Sequence, residues 1–132
     1  MFLQRHFLVS LTEQTTELKL SIPQYTLLSF LSVHDSLSMG YLASLMGHST
    51  PAATGLVDRL CKSGLVKRKS GENDRRQVLV LITPKGRTLV EETRLELMKC
   101  LGEIYDRLPP NDQESWIRIY QTMQSYCEEK RS

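Results

Sequence analysis

Cationic side chains are concentrated on both sides of one short polar turn. Lys67, Arg68 and Lys69 precede the turn, and Arg75 and Arg76 follow it. Lysine and arginine in such a run suit phosphate contacts, and an arginine at a hairpin tip suits a narrow minor groove, where negative potential is concentrated. The pattern therefore predicts binding of a polyanion, with double-stranded DNA as the first candidate. A charged hairpin that only discourages edge-to-edge strand pairing is the alternative.

A second set of candidate contacts lies on the helix predicted just before this turn. On a helical wheel Ala53, Leu56, Val57 and Leu60 fall on one side, which predicts their burial. The opposite side is narrow and polar, and its small residues allow close approach to the floor of a groove. The predicted DNA contacts of this helix are Ser49, Thr50, Pro51, Thr54, Gly55, Asp58, Arg59 and Lys62. A solvated helix face without a partner is the alternative.

Single residues of this face suit different roles. Thr54 could reach a base edge or a thymine methyl group, and Arg59 could reach a guanine or a phosphate. Asp58 brings an anion to the face, and it could pair with Lys62 one turn later or accept from a cytosine amino group. Gly55 costs about 1 kcal/mol of helix propensity relative to alanine. That cost is justified only where another molecule comes close to the backbone.

The surrounding elements are predicted mainly from capping and periodicity. The most N-terminal helix covers roughly residues 2–19, with an apolar stripe at helical spacing. The next begins at Ser21, which forms a capping box with Gln24, and it continues to about His34.

Two short helices follow and form a predicted helix-turn-helix. Ser38 caps a helix over Met39–Met46, which Gly47 ends. The next helix starts from a cap at Ser49 or Thr50 and stops at residues 63–64. A glycine turn between two short helices is typical of this motif.

The hairpin itself has predicted strands at Leu65–Lys69 and Gln77–Ile82, joined by a loop over residues 70–76. Thr83 then caps a long helix with Pro84 in its first turn, and this helix runs to about Leu108. Asn111 with Glu114 is expected to cap a last helix that ends near Glu129. The predicted fold class is mainly α with a small β-hairpin wing, a winged helix-turn-helix flanked by helices at both ends.

The two C-terminal helices carry apolar residues at heptad spacing. One seam contains Val90, Arg94, Leu97, Leu101, Ile104 and Leu108, and the other contains Trp116, Tyr120, Met123 and Cys127. A winged helix of about 60 residues can close its core without two such helices. A second copy of the chain is therefore expected to cover them, and packing within one chain is the alternative.

The charge of the chain is strongly segregated along its 132 residues. The overall charge is only +2, but residues 49–87 hold nine Lys/Arg against three Asp/Glu, whereas residues 88–132 hold six against nine. Such a distribution directs a polyanion to one part of the molecule. No segment has the length and apolarity of a membrane span, and three widely spaced cysteines do not suggest a secreted disulfide framework, so a cytoplasmic protein is expected.

Four motifs together resemble the MarR (multiple antibiotic resistance regulator) family. They are Ser49-x-x-Ala52-Ala53-Thr54-x-Leu56-Val57-Asp58-Arg59-Leu60, Gly64-Leu65-Val66-x-Arg68, Asp74-Arg75-Arg76, and Leu81-x-Thr83-Pro84-Lys85-Gly86. The resemblance covers about residues 20–90. It implies one MarR-like domain over residues 1–132, with dimerisation helices at 1–20 and 88–132 and the winged helix-turn-helix at 21–87.

The resemblance also implies a function. It implies a homodimeric, cytoplasmic repressor that places a recognition helix in the major groove and the wing over the minor groove of a pseudo-palindromic operator. Arg76 is the implied minor-groove residue, and Asp74 is implied to brace the wing by pairing with Arg59. A pocket for a small-molecule effector is implied between the dimerisation helices and the winged part. Its apolar candidates are Tyr25, Leu28, Met46 and Met98, each of which could equally be ordinary core.

Other chemistry finds little support in the sequence. The three histidines are isolated and lack metal-ligand spacing, and no glycine-rich phosphate loop is present. Ser49 beside His48 is not a nucleophile pair, because adjacent residues do not face each other and no orienting acid is evident, so neither a cofactor, a metal nor enzymatic activity is expected. Two further functions stay open. One is a winged helix that binds protein instead of DNA, and the other is a redox-sensing regulator that uses Cys61, Cys100 or Cys127.

Overall fold

The computed structural model describes residues 19–34 and 36–130. The predicted N-terminal helix, and its proposed part in dimerisation, lie outside the described residues apart from Lys19. Eight elements follow in order: α1 (Ile22–Val33), β1 (Leu37–Ser38), α2 (Met39–Met46), α3 (Thr50–Lys62), β2 (Val66–Ser70), β3 (Val78–Ile82), α4 (Pro84–Asp106) and α5 (Pro110–Glu129). The predicted fold class, mainly helical with a small β-hairpin wing, is confirmed. We call β2, β3 and the loop between them, residues 66–82, the wing.

Side-chain caps fix where the first three helices begin. The Ser21 hydroxyl accepts from the backbone amide of Gln24, and the Gln24 side chain accepts from the Ser21 amide, so the predicted capping box is present. Ser38 caps α2 by accepting from the Tyr41 amide, and Ser49 caps α3. These caps satisfy amides that have no partner within their own helix. The predicted bounds of α2 are confirmed to the residue.

The sheet has three antiparallel strands in the order β1-β3-β2. The strands of the wing pair from Val66 opposite Ile82 to Ser70 opposite Val78. The two-residue strand β1 was not predicted, because two residues are too few to show a period. It pairs with the wing because Leu37 lies opposite Val80, and both side chains are buried.

The chain forms two compact units, one ending at Glu96 and the other beginning at Leu97. The first unit contains the hydrophobic core, to which α1, α2, α3 and the sheet all contribute. Its fully enclosed large side chains are Leu27, Leu28, Leu31, Leu42, Val57, Leu60 and Val80. Within α3 the buried residues are Ala53, Leu56, Val57 and Leu60, and their burial is the main force that fixes the helix beside the sheet.

The base of the wing is tied to the end of α3 and the start of α4. The Thr83 hydroxyl donates to the Gly64 carbonyl at 2.7 Å and accepts from the Gly86 amide at 3.1 Å, so the predicted cap is confirmed. Gly86 is buried, and a Cβ atom there would collide with the carbonyl oxygen of Leu65. Two of the sequence motifs therefore meet in space and set the direction in which the wing leaves the core.

The second unit consists of the C-terminal part of α4 and the whole of α5. The predicted cap at Asn111 was wrong, because α5 already begins at Pro110, with Pro109 in the cap position and no side-chain cap bond. Proline is favourable at the first helical position, since it has no amide hydrogen that needs a partner there. The two helices enclose an apolar groove of about 370 Å³, whose walls include Leu101, Tyr105 and Trp116.

Within residues 19–34 and 36–130, no helix has both the length and the apolarity to cross a membrane.

Candidate nucleic-acid interface

Helix α3 presents the two faces that its sequence predicts. Ala53, Leu56, Val57 and Leu60 are all buried. Ser49, Thr50, Pro51, Arg59 and Lys62 are exposed, whereas Thr54, Gly55 and Asp58 are half-buried. The polar face is thus open to a ligand along the whole helix.

Thr54 and Gly55 lie in the middle of this face. The Thr54 hydroxyl donates back to the Thr50 carbonyl at 2.8 Å. Gly55 has no atom of the described chain within 4 Å of the position that a Cβ would occupy. Nothing in the fold of these residues therefore requires glycine at position 55.

An ion pair joins α3 to the wing. The Arg68 guanidinium lies 2.5 Å from the Asp58 carboxylate, with side chains that are 37% and 47% exposed. The expected pairing of Asp58 with Lys62 is therefore wrong. Asp58 finds its cation on the neighbouring strand β2 instead of one turn along its own helix.

The register of the wing divides the three consecutive cations of β2 between two faces. Arg68 lies opposite the buried Val80, on the side that faces α3, whereas Lys67 and Lys69 lie opposite Leu81 and Leu79 on the other side. Alternation of side chains along a strand makes this division unavoidable.

Lys69 has a carboxylate partner within the wing. Its ammonium donates to Glu72 at 3.0 Å, and this hydrogen bond, together with the positive charge of Lys69, holds the pKa of the Glu72 carboxyl below its usual value. Because Glu72 is fully exposed, the pair is an orienting contact rather than a strong one.

Local hydrogen bonds close the tip of the wing. The Gly71 amide donates to the Gln77 carbonyl at 2.8 Å, and the Asp74 carboxylate accepts from the Arg76 amide at 2.9 Å. Gly71 is buried, and a Cβ there would lie 2.7 Å from the Asp74 carbonyl oxygen. This closed turn leaves Arg75 and Arg76 exposed on its outward side.

The ion pair between Asp74 and Arg59 that the resemblance implied does not form. Asp74 braces the wing through its own turn, because a short aspartate side chain reaches the amide two residues later more readily than a neighbouring helix. Asp74 therefore shapes the tip, and Arg59 remains exposed.

Five cations of α3 and the wing are exposed and have no carboxylate partner among the described residues. They are Arg59, Lys62, Lys67, Arg75 and Arg76. We call these five residues the open cations. Each can take a phosphate without first breaking an ion pair.

Two other cations of the segment 49–87 have structural positions that the sequence did not indicate. Lys85 donates to the carbonyl of Ser63 at the end of α3, and Arg87 donates to the carbonyl of Ser32 in the last turn of α1. Cations are favourable at helix C-termini, where carbonyl groups lack partners. Charge spacing alone does not separate these two contacts from the open cations.

The candidate residues for an effector pocket occupy different surroundings. Leu28 is fully buried in the core, and Tyr25 and Met46 pack against that core from half-buried positions. Met98 belongs to the second unit, where it lines the apolar groove between α4 and α5. Their role as ligand contacts stays a prediction.

Thiols and metal ligands add no second candidate site. Cys61 and Cys100 are half-buried, and Cys127 is exposed. Among residues 19–34 and 36–130, no group of three or more His, Cys, Asp or Glu side chains could hold a metal ion.

Comparison with known proteins agrees with the motifs. The model of the MarR family matches residues 18–77. The HTH-type transcriptional regulator YfiV of Bacillus subtilis is 42% identical over 89 residues, which are 64% of this chain and 56% of that protein. The organic hydroperoxide resistance transcriptional regulator of the same organism is 31% identical over 93 residues, which are 66% of this chain and 63% of that protein. The chain thus spans little more than half the length of these two relatives.

Solved structures share the fold of this chain. A structure of BpsR from Bordetella bronchiseptica, described as explaining how 6-hydroxynicotinic acid regulates DNA binding, has a TM-score of 0.68 and 25% identity, covering 92% of this chain and 86% of that one. The YusO protein from Bacillus subtilis has a TM-score of 0.78 and covers 93% of this chain and 87% of that one, but at 21% identity it supports the fold alone. YfiV and the organic hydroperoxide resistance protein are transcriptional regulators and BpsR binds DNA, which agrees with the expectation that this chain is not an enzyme.

Proposed function

We propose that the protein is a sequence-specific, double-stranded DNA-binding regulator of transcription of the MarR family, whose model matches residues 18–77. One observation carries the proposal. The Asp58–Arg68 ion pair joins α3 to the wing, and the open cations lie on these two joined elements or at their ends. A duplex that meets one element therefore meets the other as well.

In the proposed complex α3 enters the major groove and the wing lies along the adjacent minor groove. Arg76 at the wing tip takes the minor-groove position, where a guanidinium is attracted by concentrated negative potential. Lys67 and Arg75 contact phosphates on either side, and Arg59 contacts a base edge or phosphate at the far end of α3. These assignments follow from exposure and from the absence of carboxylate partners among the described residues.

We further propose that the protein is a homodimer that binds a pseudo-palindromic operator. None of the twenty residues of α5 is buried. Its large side chains Tyr120, Met123 and Tyr126 are 60%, 61% and 61% exposed. Large apolar side chains in such number on one helix favour a protein partner. A second copy would cover them and would place two recognition helices about one helical turn of DNA apart.

Repression tuned by a small molecule completes the proposal. The BpsR structure concerns DNA binding that 6-hydroxynicotinic acid regulates, and this similar chain would respond to an effector in the same general way. We also propose the cytoplasmic location that the sequence analysis expected, since a DNA-binding regulator must reach its operator.

A charge-matched pair of variants tests DNA binding at the wing. We expect Arg76→Ala to weaken binding to an operator selected from a random duplex pool by about tenfold. It should also reduce the slope of log affinity against log salt by about 0.9, because one phosphate counterion fewer is released. Lys99→Ala removes the same charge from the exposed surface of α4 and serves as the control.

Fluorescence anisotropy at several salt concentrations measures both quantities. If Arg76→Ala and Lys99→Ala bind alike, the wing does not contact DNA. If the unaltered protein prefers no duplex over any other, the proposed function itself is wrong, and a winged helix that binds protein becomes the better assignment.

A further inference from the structure

The first turns of α3 carry no long hydrogen-bonding side chain. From Ser49 to Asp58 the sequence is Ser-Thr-Pro-Ala-Ala-Thr-Gly-Leu-Val-Asp, without arginine, lysine, asparagine, glutamine or histidine. Arginine and lysine are the usual readers of guanine, and asparagine and glutamine are the usual readers of adenine. Because the N-terminal residues of a recognition helix lie deepest in the groove, the usual polar readers are missing where base edges come closest.

Three of the four polar side chains in this segment already have partners within the chain. The Thr54 hydroxyl donates to the Thr50 carbonyl, and the Ser49 hydroxyl caps the helix by accepting from the Ala52 amide. Asp58, the one carboxylate of this segment, is held by Arg68. These side chains are therefore already engaged in contacts within the chain.

Small apolar groups remain on the open surface. Pro51 and Ala52 are exposed, and the half-buried Thr54 carries a γ-methyl group beside the hydroxyl that donates to the Thr50 carbonyl. Gly55 adds no side chain at all and has open space above its Cα atom. Methyl and methylene groups on a smooth helix surface match one feature of the major groove, the C5-methyl group of thymine.

We infer that α3 reads its operator through thymine methyl groups, with Ala52 and Thr54 as the specificity-determining residues. Each half-site then contains one or more thymines that face these two side chains. Guanine is read, if at all, at the end of the half-site that Arg59 reaches. This inference rests on the proposed function, because it states what the same DNA-binding surface recognises.

Uracil substitution isolates the methyl group. An operator is first selected from a random duplex pool, and each thymine of its half-sites is then replaced in turn by uracil, which keeps every hydrogen-bonding group and lacks only the C5-methyl. We expect one or two positions in each half-site at which uracil weakens binding about fourfold, the value for one buried carbon group.

Two variants of Thr54 assign the contact to its methyl group. Thr54→Ser keeps the hydroxyl and its bond to the Thr50 carbonyl but lacks the methyl, whereas Thr54→Val keeps a methyl and lacks the hydroxyl. Thr54→Ser should bind the thymine duplex several-fold more weakly than the unaltered protein does. On the uracil duplex the two proteins should have the same affinity. Thr54→Val keeps the methyl, so replacing thymine by uracil should weaken its binding by the same factor as for the unaltered protein, whereas Thr54→Ser should show no such loss. Thermal unfolding of both variants shows whether they are folded.

The outcomes separate the two levels of the proposal. A selected half-site without thymine, or one in which no uracil substitution weakens binding, overturns the methyl readout while DNA binding stands. Equal losses for Thr54→Ser on thymine and uracil duplexes also overturn it, because the lost contact would then be to another group. Absence of any preferred duplex overturns the proposed function, and the inference falls with it.

Discussion

At the scale of single residues, Gly55 is unfavourable for the helix that contains it. Glycine inside a helix costs about 0.5–1 kcal/mol relative to alanine, and a Cβ at position 55 would meet nothing within 4 Å. We therefore expect Gly55→Ala to raise the free energy of unfolding by about that amount while it weakens DNA binding, since the added methyl group would meet the groove first. Urea denaturation and anisotropy titration measure the two effects on one preparation.

Gly102→Ala provides the control for Gly55→Ala. Gly102 lies within α4, and a Cβ there also meets nothing within 4 Å. This variant should gain similar stability and keep the same affinity for DNA. Unchanged DNA binding by Gly55→Ala would show that no partner approaches the backbone of α3 at this point.

The sequence predicted the burial of residues well where helical periodicity decides it. It predicted side-chain partners poorly where two elements pack against each other. The burial of Leu56, Val57 and Leu60 follows from the helical wheel and is confirmed. The partner of Asp58 was wrong, because Lys62 is close along the helix but Arg68 is closer in space. Contacts between helix and strand depend on packing distances that no spacing within one segment contains.

At the scale of elements, the direction of the wing depends on the close approach of α4 to the chain just after α3. Because a Cβ on Gly86 would collide with the Leu65 carbonyl oxygen, Gly86→Ala must shift backbone rather than a flexible side chain. We expect a loss of about 1–3 kcal/mol in the free energy of unfolding, the usual range for overpacking. Gly40→Ala in α2, where the added atom meets nothing, is the control, and equal denaturation midpoints for the two variants would contradict the prediction.

The ion pair between α3 and the wing can be measured with a double-mutant cycle. Asp58→Asn, Arg68→Gln and the double variant should give a coupling energy of up to about 1 kcal/mol, since both side chains are partly exposed. The coupling should shrink in high salt, which screens exposed charges. A coupling that is zero in low salt would mean that the core and the hairpin base alone position the wing.

Capping signals explain which elements could be predicted. Ser21, Ser38 and Ser49 each have a side chain that replaces a missing helix partner, so the sequence itself marks where these helices begin. At α5 the proline pair gives no side-chain cap, and Asn111 was given a role that Pro109 fills through its backbone. Strand β1 exists only through its pairing with β3 and leaves no local signal.

At the scale of the whole molecule, the basic segment and the exposed apolar helix suit two different kinds of partner. The +6 segment 49–87 contains the proposed DNA-binding surface, whereas the C-terminal segment, with nine Asp/Glu against six Lys/Arg, would be repelled by phosphates. Charges of one sign confined to one segment orient the protein on a duplex before close contact forms. The exposed apolar side chains of α5 lie in this acidic segment, which agrees with its proposed role in contacts between two copies of the chain.

The apolar side chains of α5 predict the behaviour of the assembled protein. Met123→Glu places a charge beside Tyr120 and Tyr126, and we expect it to convert the proposed dimer to monomer in sedimentation velocity, because a carboxylate buried there without a partner is costly. Thr122→Glu adds the same charge at the neighbouring exposed position and should leave the dimer intact. The monomer should bind a full operator no more tightly than a single half-site, since the second winged helix no longer arrives with the first. A Met123→Glu protein that stays dimeric would exclude this face of α5 from the interface, whereas one that is monomeric but still prefers the full operator would show that DNA itself assembles the pair.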